Sequence, residues 1–309
     1  MTDTAEAQAA AQRAIDFARG KLHAKAANLG LSPSQRRFLH RITAGGAGNG
    51  FLPMSHFEAR LASSQAMIAA LLAHSNELGN QNVEYFMGTF CPDAGVTPLQ
   101  NPHISIAALK RKIDKAMRSH GLHGVYVVEV EILLRLEGEP GPRLMFHVHA
   151  VCWRRYRKIL PRRLAKSMMA SRAFSNNLGA RGVVFTAMQP QTPSSVAGLA
   201  QYITKFPACV KQRRKLRSGR HKLVHEQSKY SGSMMMRMIE VLSHIPLYSA
   251  IGAVGEGKAV RRAWKIRMTA WRKSQPMNEV ALTRERVRSD WKRSTLRARL
   301  KGKPCRIRI

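Results

Sequence analysis

Between residues 146 and 153 the chain reads Phe-His-Val-His-Ala-Val-Cys-Trp, two histidines alternating with apolar side chains. Successive side chains on a strand point to opposite faces, so His147 and His149 share one face, about 7 Å apart along the chain. Two imidazoles at that spacing can converge on a single metal ion. The same pair could also lie on an edge strand with no metal, so a third ligand is needed. Glu129 and Glu131 are the candidates, two residues apart in the apolar run Val125 to Leu134. A carboxylate among apolar neighbours is costly unless it is paired or metal-bound, although an open sheet face would leave both in water. Two imidazoles and a carboxylate make a site for a divalent cation, with Mg²⁺ or Mn²⁺ acting as a Lewis acid on a phosphate.

A nucleophile would complete such a site. Leu199-Ala200-Gln201-Tyr202-Ile203-Thr204-Lys205-Phe206 reads as helix, where Tyr202 and Lys205 at i, i+3 share a face. A tyrosine hydroxyl can attack a phosphodiester and become a phosphotyrosine, given a metal on the phosphate and a cation near the developing charge. Tyr202 taken alone could equally be a helix tyrosine packed on a sheet.

The elements that must hold these residues follow from periodicity. Val125 to Leu134 is a long β-branched strand, and the Gly- and Pro-rich stretch Glu137 to Pro142 is a hairpin loop. The histidine strand follows directly, so the two strands should be antiparallel neighbours. Tyr85 to Cys91 and Val183 to Met188 are further strands, with a turn at Pro92 to Gly95. Helical patterns cover residues 4–28, 56–77, 104–120, 161–177, 196–206, 234–242 and 258–273. Ser194 or Ser195 is the expected N-cap of the helix carrying Tyr202, and Pro207 its stop. Breaks fall near Gly30–Pro33 and in the glycine-rich Thr43–Gly50, which lacks the spacing and the Gly-Lys-Ser/Thr ending of a phosphate loop. This order predicts an α+β fold, an antiparallel β-sheet with flanking helices. The expected parts are a helical N-terminal extension over 1–80, a catalytic domain over 81–210, and a basic, largely helical region over 211–309 with a partly disordered tail.

Charge names the partner. The chain has 309 residues, with 52 Lys and Arg against 18 Asp and Glu, a net of +34. Residues 207–309 alone hold 27 cationic and 6 acidic side chains. A field of that sign favours polyanions, nucleic acid first. An anionic membrane surface is the other polyanion such a charge could meet, but nucleic acid is favoured and no membrane partner is expected; no apolar run reaches 18 residues, so no transmembrane helix is expected. The polar N-terminus lacks the hydrophobic stretch of a signal peptide. Cys91, Cys152, Cys209 and Cys305 are scattered and read as reduced thiols, which suits the cytoplasm. Deleting the tail from about residue 278 is expected to weaken DNA binding while cleavage persists. A non-catalytic nucleic-acid-binding protein and an unrelated HxH metalloenzyme of cupin type are the competing readings; helical content and charge count against the second.

Taken in order, these motifs resemble the HUH endonucleases, above all the rolling-circle replication initiators of plasmids, with transposases of the same superfamily close behind. Phe86 to Phe90 is similar to the family's first motif, a structural strand. Phe146 to Cys152 matches the U-His-U-His-U-U-U motif, and Gln201 to Lys205 the Tyr-x-x-Lys motif. Gly124 to Val130 resembles the preceding strand, whose glutamate supports the metal. The resemblance spans roughly 83–206 and implies an RRM-like palm. It implies His147, His149 and Glu129 as metal ligands, with Glu131 still open as the third. It implies Tyr202 as nucleophile and Lys205 as its cationic helper. The implied activity is strand-specific nicking of a single-stranded or hairpin origin and its flanking duplex. A 5′-phosphotyrosine forms, and a 3′-hydroxyl primes replication. Host polymerase and helicase are implied as partners, and a homodimer is allowed. Two features depart from the family. The residues before the pair are Met145 and Phe146, where initiators often carry His and Pro. Phe206 stands where two-tyrosine members have a second Tyr, which implies one nucleophile per site.

Overall fold

The computed structural model describes residues 2–79, 83–134, 141–155, 160–170, 174, 181–188, 192–206, 210–215, 217, 221–226, 231–277, 281–293 and 306–308. The fold is α+β, an eight-stranded, mostly antiparallel sheet with helices against it. Its centre is the pair β4 (His123–Leu133) and β5 (Arg143–Trp153), which are antiparallel over their full length. Almost every residue of both is buried. That is why these stretches read as continuous β-branched and aromatic runs: both faces are covered. The hairpin loop expected over 137–142 lies largely outside the described residues.

β1 (Phe86–Phe90) pairs with the outer side of β5, and β6 (Val183–Ala187) with β1, both antiparallel. β2 (Val96–Pro98) adds to the end of β5 nearer the hairpin. On the other side of β4, β7 (Val210–Lys215) pairs parallel near Leu133, and β8 (His221–His225) extends from β7. β9 (Ile251–Val254) takes the opposite end of the same side, antiparallel over Gly124–Val127. The region after residue 210 therefore contributes three strands to the sheet, where a largely helical region is expected. The sequence of β7, Val-Lys-Gln-Arg-Arg-Lys, hides its strand because cations fill the positions that would show alternation. β9 is too short to register.

α1 (Thr2–Asn28) and α3 (Phe57–Leu78) match their expected spans. Between them lies α2 (Pro33–Ala44), which periodicity misses. The break at Gly30–Pro33 is its start: Ser32 caps it, Pro33 sits in its first turn, and Gln35 closes a capping box. α4 (Ile106–Ser119) buries Ile106, Leu109, Ile113 and Met117. It is preceded by β3 (His103–Ser105), a short strand the periodicity does not show. α5 (Pro161–Met169) is shorter than the span to Asn177, most of whose remainder lies outside the described residues. α6 (Pro193–Thr204) is capped by Thr192 instead of Ser194 or Ser195, because Pro193 already occupies the first turn. α7 (Gly232–Ser243), the short α8 (Leu247–Ala250) and α9 (Gly257–Lys273) follow. The tail is not structureless where it is described. α10 (Arg284–Arg293) buries Val287, and β10 (Arg306–Arg308) pairs parallel with β3.

α3 packs on α6, α9 and α1, and α6 lies over β5 and β4. Tyr126 alternates with Glu129 on β4, and its hydroxyl donates to Asp114 of α4 at 2.6 Å. α4 therefore covers the sheet face opposite the glutamates. Among the described residues no helix is long and apolar enough to cross a membrane.

Candidate functional site

Register assembles the cluster. Glu129 lies directly opposite His147, and Val127 opposite His149, so Glu129, His147 and His149 fall on one face of two adjacent strands. One ligand atom from each lies within 4.8 Å of the others. The two Nε2 atoms are 3.0 Å apart, and Glu129 Oε2 is 4.0 Å from His147 Nε2 and 3.7 Å from His149 Nε2. All three residues are buried.

Their outer partners orient the rings. His147 Nδ1 lies 3.3 Å from the Met145 carbonyl, which can only accept, so Nδ1 carries the proton and Nε2 presents its lone pair inward. His149 Nδ1 is 3.0 Å from Thr89 Oγ1, a residue held opposite it by β1. With Nδ1 donating to Thr89, a second lone pair faces the first. Neither carboxylate oxygen of Glu129 has a hydrogen-bond partner among the described residues, although both are buried. Burial pushes this carboxyl up to about 8, against the pull of Lys205 and Arg60. Burial likewise lowers both imidazoles. Two imidazole nitrogens partnered only with each other and an orphaned carboxylate, all buried, are a donor set that a cation satisfies. This buried group could hold a metal ion.

Glu131 has a different partner. Its Oε2 is 2.7 Å from Lys211 Nζ on β7 and 3.8 Å from His147 Nε2. Burial works to raise its pKa, yet His147 and Lys211 outweigh it and hold the carboxyl down at about 2. The cluster therefore takes Glu129, and Glu131 is an ion-pair residue at its edge.

Tyr202 reaches the cluster from α6. Its ring lies edge-on to His149, with centroids 5.1 Å apart, and the residue is 38% exposed. Lys205 is not on the helix face expected from i, i+3 spacing. It lies one residue past the helix in an extended conformation, with Nζ 3.6 Å from the centroid of the Tyr202 ring. Burial would lower this ammonium, but Glu129 and a hydrogen bond with Tyr202 raise it, so Lys205 remains a cation.

Three residues around the site carry no sequence signal. Arg60 is buried on α3, donates to the Lys205 carbonyl, and lies 5.8 Å over the Phe206 ring. It ties the end of α6 to the helical layer, and its charge bears on Glu129. Thr89 and Lys211 are ordinary in sequence and gain a role only through pairing. Phe206 is buried and packs on Phe57 at 4.8 Å, so the position of a second tyrosine faces the core.

Fold and site together define an α+β protein with a buried Glu-His-His group beside a tyrosine–lysine pair. No protein-family model matches the chain, and neither a curated protein nor a solved structure matches it.

Proposed function

We propose that this protein is a divalent-cation-dependent DNA strand transferase of the HUH type, an initiator that nicks an origin in the cytoplasm and primes rolling-circle replication. The single observation that carries the reading is the meeting of Tyr202 with the Glu129–His147–His149 group. Strand β5 ends at Trp153 and helix α6 starts at Pro193, about forty residues later, yet the Tyr202 ring lies against His149.

A Mg²⁺ or Mn²⁺ ion held by Glu129, His147 and His149 would draw charge from the scissile phosphate. The protein's own groups do the rest. Tyr202 Oη attacks phosphorus as its proton passes to water at the exposed edge of the ring. The P–O3′ bond breaks, the 3′ oxygen takes a proton from water, and the 5′-phosphate stays on the tyrosine. Lys205 lies where it stabilises both the phenolate and the extra negative charge of the pentacoordinate state. The phosphotyrosine conserves the bond energy, so no nucleotide triphosphate is consumed. Host polymerase would then extend the 3′-hydroxyl as a host helicase separates the strands.

The test uses the full chain with Mn²⁺ and labelled single-stranded oligonucleotides tiling the replicon that encodes it. A covalent adduct is expected, mapped by mass spectrometry to the peptide bearing Tyr202 and lost in Tyr202→Phe. An adduct that survives Tyr202→Phe removes Tyr202 from the mechanism. A charge-driven binder with no activity would give no adduct on any oligonucleotide.

A further inference from the structure

The second concentration of unexplained chemistry lies away from the histidines. α9 buries Gly257, Val260, Trp264 and Met268, one stripe at helical spacing. Trp264 Nε1 donates to Ser63 Oγ of α3 at 3.1 Å, so this stripe is spent inside the protein. A flank of the helix, turned roughly 100° from the buried stripe, holds Lys258, Arg261, Arg262 and Lys265 at i, i+3, i+4 and i+7, all exposed. α9 contains no acidic residue.

α4 presents a matching stripe. Arg111, Lys115 and Arg118 recur at i, i+4 and i+7 and are exposed. The one acid on α4, Asp114, is engaged by the Tyr126 hydroxyl. The two helices adjoin across β9. Lys110 Nζ of α4 donates to the carbonyls of Ser249 and Ile251 at 2.8 and 2.9 Å, and Gly257 starts α9 hard against the Gly124 carbonyl of β4. The charges feel one another: burial, then Arg261, lowers the Lys110 ammonium to about 8. Among the described residues no acidic side chain forms an ion pair with Lys258, Arg262, Lys265, Arg111 or Lys115. Like charges held this close on rigid elements repel unless a polyanion neutralises them.

We propose that the outward faces of α4 and α9 form a docking surface for the phosphate backbone of duplex nucleic acid. Three features select duplex over other polyanions. The stripes carry no aromatic side chain, so they offer no platform for the bases of a single strand. The apolar side of α9 is buried in protein, which leaves Ile266 as the only large exposed apolar residue of the helix and nothing to insert into a bilayer. A 17-residue helix spans about 25 Å, the axial length of about seven base pairs. α4 covers the sheet face opposite Glu129, so the α4 half of this surface lies away from the Tyr202 site. The surface stands whether or not Tyr202 cleaves.

The experiment uses the full chain and a random-sequence 30-base-pair duplex, with binding followed by fluorescence anisotropy across a KCl series. Arg262→Glu/Lys265→Glu and Arg111→Glu/Lys115→Glu are compared with Arg36→Glu/Arg37→Glu, an equal charge change on exposed residues of α2. Each α9 or α4 variant should weaken binding about tenfold or more and reduce the salt slope by about 2, roughly one per lost phosphate contact. The α2 variant should do markedly less. Equal losses in all three would reduce the effect to net charge and overturn the surface. So would duplex binding that the α9 and α4 variants leave intact, and so would phosphatidylserine vesicles being the polyanion whose binding alone those variants abolish.

Discussion

Glu129→Gln separates the cost of the site from its use. In the metal-free protein both oxygens of Glu129 are buried without a hydrogen-bond partner, and the carboxyl is pushed up from 4.5 to about 8. The folded state therefore holds a proton that the unfolded chain gives up above pH 4.5. Stability contributed this way is complete below pH 4.5 and is lost as pH rises towards 8. Between pH 5 and 7 the loss from this one group is about 2–3 kcal/mol. Glutamine stands in for the protonated carboxyl, so its burial cost matches and the pH-dependent component disappears. With EDTA present, thermal melts of wild type and Glu129→Gln should converge near pH 5. At pH 7 the variant should be the more stable, by about 5 °C if each kcal/mol moves the midpoint of a chain this size about 2 °C. All other titrating groups are common to both proteins, so the difference between the profiles isolates Glu129. With Mn²⁺ the gap should close and then reverse. At one hundred times its dissociation constant the ion stabilises wild type by about 2.7 kcal/mol, which cancels the variant's lead, and at one thousand times by about 4.1 kcal/mol, which reverses it, whereas the variant has lost the anionic ligand. Parallel pH profiles in EDTA would refute the burial argument. An undiminished Mn²⁺ shift in the variant would refute Glu129 as a ligand.

Lys205→Met keeps the stem over the Tyr202 ring and removes the charge. Single-turnover adduct formation should fall about 10²- to 10³-fold with Mn²⁺ affinity little changed, measured by quenched time courses and calorimetry. Thr89→Val leaves His149 Nδ1 without its partner at 3.0 Å and should weaken Mn²⁺ binding about 10- to 100-fold in a calorimetric titration. Removing residues from 278 onward takes away the buried Leu282, Val287 and Ile307, at about 1.5–3 kcal/mol each. The truncated chain should melt far below wild type instead of losing DNA affinity alone. Phe206→Tyr should not create a second adduct, because its hydroxyl would enter the packing around Phe57 and Arg60; peptide mapping of the adduct decides.

Much of the site was legible because it sits on strands. A period of two puts His147 with His149, and Glu129 with Glu131, without reference to anything distant. The choice between the glutamates was not legible, since Lys211 claims Glu131 only after β7 pairs with the end of β4. Arg60 was hidden for a related reason. An arginine in an Ala-rich helix reads as a solvated position, and its burial against Lys205 and Phe206 arises only when α6 docks on α3. Short or cation-filled elements escaped because they lack the alternation that reveals a strand. Those were β2, β3, β7, β8, β9 and the tail strand β10. α2 escaped although Ser32-x-x-Gln35 is a capping signature, because the adjoining Gly30–Pro33 reads first as a break.

The charges around the cluster argue for an anionic substrate. Glu129 and Glu131 face three cations, Arg60, Lys205 and Lys211, while burial lowers both imidazoles. Lys211 is committed to Glu131, and the Arg60 guanidinium is committed to the Lys205 carbonyl. Lys205 is the cation at the exposed edge beside Tyr202. A divalent ion on Glu129 would leave the pocket more positive still, on the side where the tyrosine is open to solvent. A neutral substrate would waste that field, whereas a phosphodiester brings the negative charge it lacks and gains more as the pentacoordinate state forms. The excess of cations over carboxylates, more than the histidine pair alone, would suit the proposed phosphoryl transfer better than chemistry on a neutral substrate.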